Sequence, residues 1–161
     1  MLFEAENDSS SIASIYNRLG NIAFYQGDYE IAKVNHQKAI DIGEHNDDKR
    51  IIASGYNNLG IVASVKANWD TTVDYFEQSI EIYEELGQNR AGAGVYMNLA
   101  MAYVDAEEWE AAGECYAEAT AMARESGNLR LLSDIYIIPF AARNATIPPP
   151  MARNRMEVGC H

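Results

Sequence analysis

Five asparagines stand at related places in this chain: Asn17, Asn21, Asn57, Asn58 and Asn98. A carboxamide offers a donor and an acceptor, which match the two polar groups of a peptide unit. Asparagine is also a mediocre helix former, because its amide competes for backbone groups. Five of them in helix-like segments call for a reason: a bond to a neighbouring helix, or to the main chain of a bound segment. Other chemistry is thin. His36 falls at a core position, His45 in a loop and His161 at the end of the sequence. Cys115 lies among carboxylates that would raise its pKa and dull its reactivity. No glycine-rich phosphate loop, metal-spaced Cys/His cluster or Ser-His-Asp arrangement is written in the sequence. The expectation is a non-enzyme with no metal and no cofactor.

The asparagines sit inside a repeated phrase. Residues 16–20 read YNRLG, 56–60 read YNNLG and 96–100 read YMNLA. With a period of forty, Ile52, Ala53, Ser54, Tyr56, Asn57, Leu59, Gly60 and Ala63 repeat the residues of the first unit, and Ala93, Tyr96 and Leu99 carry the pattern into a third. Three units follow: 11–50, 51–90 and 91–130. In the first half of each, apolar and small residues recur at helical spacing: Ile12, Tyr16, Leu19 and Ala23, then Ile52, Tyr56, Leu59 and Ala63, then Tyr96, Leu99 and Tyr103. A short turn then ends on an aromatic, Tyr29, Trp69 or Trp109, that opens a second helix. Gly87 and Gly127 follow the second helices where a left-handed C-cap wants glycine, and Asp47 holds that place in the first unit.

Charge separates the two kinds of helix. The first helices, 11–26, 51–66 and 91–104, carry only Arg18 and Lys66, whereas the second helices, 28–45, 70–86 and 107–125, carry sixteen acidic and three basic residues. A helix almost without charge must be covered on most sides, and one with many carboxylates must show a face to water. The first helices therefore face inward and the second form an acidic outer wall.

The formal charge of −12 argues against nucleic acid and against anionic membranes as partners. No stretch approaches the roughly 20 apolar residues of a membrane-spanning helix. The opening residues MLFEAENDSS lack the basic region of a secretory signal. Cys115 and Cys160 show no disulfide framework. Together these make a cytoplasmic protein with reduced thiols the expectation.

At this point the chain resembles the tetratricopeptide repeats, in the longer 40-residue variety. The resemblance rests on Tyr16, Leu19, Gly20, Ala23, Tyr29, Ala32 and Ala39, with His36 in place of an aromatic. It continues in Tyr56, Leu59, Gly60, Ala63, Trp69, Phe76 and Ser79, with Thr72 at a small site, and in Tyr96, Leu99, Ala100, Tyr103, Trp109, Ala112, Tyr116 and Ala119. It implies an all-α superhelix, or solenoid, of about three helix hairpins plus a truncated fourth helix, with the first helices lining a concave groove that binds partner peptides. The implied peptide-binding residues are Asn17, Arg18, Asn21, Asn57, Asn58, Ile61, Met97, Asn98 and Met101. The carboxylate clamp of some family members is not implied: Gly94 and Asn98 stand where its cations belong, and Asn17 where lysine is wanted.

Outside the repeats, residues 1–10 read as a leader and 131–144 as a partial fourth repeat. Pro139 and Phe140 there replace Leu-Gly, so a capping helix over 129–138 is expected to stop short. Residues 145–161 read as a proline-containing tail. The leading expectation is an interaction module or scaffold that binds an extended or helical segment. Two others stand beside it: a ligand- or peptide-sensing regulatory domain of a larger signalling protein, and self-assembly into a homo-oligomer through the ends of the array.

Overall fold

The computed structural model describes residues 2–137, with side chains from 9 to 135. The tail at 145–161, and the Pro139–Phe140 departure from the repeat, lie outside these residues. Seven helices are described and no strand: α1 (Leu2–Gln26), α2 (Tyr29–His45), α3 (Lys49–Val65), α4 (Trp69–Glu85), α5 (Asn89–Asp105), α6 (Trp109–Glu125) and α7 (Leu129–Ile137). The fold is all-α, a series of helix hairpins. α1 begins at Leu2 rather than at residue 11, so helix runs through the stretch read as a leader.

The forty-residue period is in fact a twenty-residue one at the level of backbone. Helices α2 to α6 are each 17 residues long. Positive φ recurs at Gly27, Asp47, Ala67, Gly87, Glu107 and Gly127. In five of these turns the next residue's N–H returns to a carbonyl five positions earlier: Asp28 to Ala23, Asp48 to Gly43, Asn68 to Ala63, Glu108 to Tyr103 and Asn128 to Ala123. This is the bond that satisfies the open carbonyls of a helix end. The left-handed positions expected at Gly87, Gly127 and Asp47 are present, and the turn inside each hairpin repeats them.

The chain divides into two compact units, Met1–Leu86 and Gly87–His161. In the first, α1 packs on α2, α3 on α4, α2 on α3, and α1 touches α3. Small residues set the spacing. Ala13, Ala39 and Ile51 form one buried cluster and Ala23, Ala32 and Val62 another. A β-carbon at Gly60 would lie 2.7 Å from the Phe76 ring, and one at Gly55 would lie 2.4 Å from Ile40. Glycine is needed there because the partner side chain fills the space its own would take. The buried Ser79 hydroxyl donates to the Ala53 carbonyl at 2.8 Å, so this small residue also joins α4 to α3.

In the second unit α5 packs on α6, and α7 lies mainly on α6. Leu131 and Ile135 of α7 are buried. Cys115 is fully buried on α6 and disulfide-bonded, its partner outside the described residues, so the reduced thiol expected there is not found.

One core assignment needs correction. Leu59 and Leu99 are buried, at 1% and 0% exposure, but Leu19, their counterpart, is 44% exposed. Leu59 shares a face with Gly55, which receives Ile40 of α2. Leu19 lies on the side of α1 away from α3, where no described element packs.

Candidate peptide-binding surface

The site residues of the first unit are built on α1 and α3, whose stretches 11–26 and 51–65 carry Arg18 as their one charged side chain. Asn17 is half-buried and fully engaged. Its Nδ2 donates to Ser54 Oγ on α3 at 3.0 Å, and its Oδ1 lies 3.1 Å from His36 Nδ1 on α2. The Ser54 hydroxyl passes its own proton to the Ile51 carbonyl at 3.0 Å. One carboxamide thus ties three helices.

His36 explains why that amide is present. Its place in α2 is the place of Phe76 in α4 and Tyr116 in α6. It is 1% exposed, and a β-carbon on Gly20 would fall 2.4 Å from its ring. The ring therefore packs on Gly20 as Phe76 packs on Gly60. Unlike phenylalanine, imidazole brings a polar N–H inward, and a buried donor needs an acceptor. Asn17 Oδ1 supplies one, which assigns the proton to Nδ1. Burial lowers the His36 pKa to about 4, so the ring is neutral at physiological pH. The sequence identified a structural histidine but not its partners. The polar residue at the aromatic place was visible, but an asparagine three before the glycine also occurs as Asn57 beside the Phe76–Gly60 pair, so the amide by itself did not mark the partner.

Asn58 sits beside this network without bonding to the ring: its Nδ2 is 3.5 Å from His36 Nδ1, which donates to Asn17, and its Oδ1 is 3.5 Å from Asn57 Nδ2. Both residues are half-buried, as is Ile61 one turn on from Asn57. Arg18 and Asn21 are exposed on α1. The structure thus brings Asn17 and Asn58 to one histidine, with Asn57 adjoining. Met97, Asn98 and Met101 belong to α5 in the second unit, where Met97 and Asn98 are half-buried and Met101 is 48% exposed.

At the start of α3, Lys49 makes an ion pair with Glu85 at 2.8 Å. Asn89 occupies the same place forty residues on and donates to Glu125 at 3.3 Å. Lys66 pairs with Glu30. All are exposed and contribute little. A shallow depression of about 750 Å³ lies in the second unit, lined by Asn89, Arg90, Glu125 and Asn128 among others. It is formed by turns rather than by the asparagine-bearing helix faces. Among the described residues no cluster of three or more His, Cys, Asp and Glu side chains is placed to hold a metal. No described helix is long and apolar enough to cross a membrane.

The geometry has counterparts in known proteins. A family model described as tetratricopeptide repeat matches residues 11–85 and again 51–125. No curated protein sequence matches the chain. Among solved structures, aspartyl phosphate phosphatase F from Bacillus subtilis superposes with a TM-score of 0.75 at 16% identity, over 80% of this chain and 33% of that one. The N-terminal domain of stress-induced protein-1 from C. elegans gives 0.62 at 21% identity, over 80% of this chain and 94% of the other. BtubC from P. vanneervenii gives 0.62 at 17% identity, over 91% and 70%. The chain thus spans about a third of the length of the phosphatase. At these identities the likeness is one of fold.

Proposed function

The chain belongs to the tetratricopeptide-repeat family, whose members are generally protein–protein interaction modules, and we propose that it binds a peptide segment of a partner protein through the uncharged faces of its first helices. The observation that carries this is the division of labour between amides on those helices. Asn17 is consumed by His36 and Ser54 and acts as a positioning residue. Asn58 is half-buried beside the same network, with only long contacts of 3.5 Å, on a helix without a carboxylate. In the first unit Asn58 is the residue we assign to a ligand's main chain, flanked by Asn57, Asn21 and Arg18, with Ile61 for apolar contact; in the second unit, taken by itself, its repeat counterpart Asn98 has that assignment, with Met97 and Met101 for apolar contact. Methionine adapts to varied partners. The acidic second helices exclude acidic ligands, so neutral or basic segments are favoured. Its role is that of a non-catalytic adaptor.

The test begins with a random peptide library panned on the wild-type protein. Selected peptides are then titrated calorimetrically into wild type and into a variant carrying Asn58→Ala and Asn98→Ala. One lost hydrogen bond of about 1 kcal/mol at the site a peptide occupies predicts a weakening of roughly fivefold. Unchanged affinity in a folded variant sinks the assignment.

A further inference from the structure

An apolar face at the start of the repeat array is left exposed among the described residues. Ile12, Ile15, Leu19 and Ile22 of α1 are between 44% and 53% exposed. All four fall on the side of α1 opposite Asn17, which points to α3. Ile31 and Val34 of α2 are 55% and 52% exposed. Helical spacing turns them away from Ile40, which enters α3 at Gly55, so they flank the α1 stripe on the same side of the hairpin.

From these observations we infer that this face is a homodimer interface, in which α1 packs antiparallel on α1 of a second copy.

Three observations select that occupant. The first is shape. The stripe has the 3-4-3 spacing of a helix-pairing seam, with a large side chain at every position. α3 differs at two places: Val62 stands for Ile22, a small change, and Gly55 stands for Ile15, a gap that accepts the Ile40 knob of α2. In α1 the gap is filled, so the face suits an identical row of knobs better than another helix of the α2 kind. The second is area. Six side chains about half exposed offer on the order of 500 Å² per copy, hence about 1,000 Å² in a symmetric pair, the lower bound for a specific interface. The pairing is therefore a weak, micromolar one. The third is charge. Two copies at −12 repel at any acidic second-helix face, yet α1 carries no carboxylate between residues 9 and 26, and Arg18 is its one charged side chain there.

Sedimentation equilibrium of the full chain across the micromolar range tests this, with wild type beside a variant carrying Ile15→Glu and Ile22→Glu. Wild type is expected to dissociate from dimer to monomer on dilution, and the variant to stay monomeric with unchanged circular dichroism. A milder pair, Ile12→Ser with Leu19→Ser, guards against misfolding and is expected to weaken the dimer at least tenfold. If wild type is monomeric throughout, the face is covered by another chain or by residues outside those described, and the proposal falls. If the variants dimerise as wild type does, another surface is responsible and it falls equally. Neither outcome bears on the peptide titration, which reads different helix faces.

Discussion

The residue that best separates packing from recognition is Asn17. Its spacing with Asn57 made it one of a set, but its bonds to His36 and Ser54 make it part of the core network. The sequence shows an amide at a given helical position and cannot show whether another side chain has already claimed it. His36 supplies a pH signature for that network. Its pKa is near 4 when folded, against about 6.5 when unfolded, so between these values the unfolded chain binds more protons than the folded one. The stability linked to His36 is complete above pH 6.5 and is lost as pH falls toward 4. Substituting His36→Phe copies the Phe76 arrangement and removes this dependence. The difference in unfolding free energy between wild type and H36F, followed by urea denaturation, should move in favour of the variant by up to about 3 kcal/mol from pH 7 to pH 4. Carboxylates common to both proteins cancel in that difference. A flat difference would mean that the imidazole is hydrated in the folded state.

At the scale of elements, the hairpins were legible because small residues, aromatics and turn glycines recur in one register. Helix ends were read to within a few residues except at α1, which extends to Leu2. Asp47 apart, what could not be read were left-handed turns lacking a glycine. Ala67 and Glu107 hold φ of 52 and 62 degrees, where an L side chain meets its own carbonyl. Nothing about alanine or glutamate announces that conformation; the turn geometry imposes it. Ala67→Gly and Glu107→Gly should each stabilise by about 1 kcal/mol, since relief of backbone strain exceeds the entropy cost of glycine. Gly87→Ala should destabilise by a similar amount, because its φ of 62 degrees would then carry a β-carbon. Thermal melts that rise for the first two and fall for the third check both signs. The exposure of Leu19 belongs to this scale as well. A repeat pattern assigns it the same core role as Leu59, and only the neighbour on that side decides whether the role is filled.

For the molecule as a whole, charge and repeat together define what is left for function. Carboxylates concentrate on the second helices of this −12 chain. The proposed function assigns binding to the first helices, where charge is nearly absent and amides accumulate. The resemblance to the repeat family could be read from residue types and spacing; a ligand could not, because an uncharged surface of the proposed kind would leave little trace of its partner's side chains. The most direct measurement is an amide spectrum of nitrogen-15-labelled protein titrated with a peptide selected on it. The side-chain amide signal of Asn58, assigned by its loss in the Asn58→Ala variant, should shift and saturate with the calorimetric affinity. Shifts confined to α2, α4 and α6, with that amide unmoved, would contradict the account.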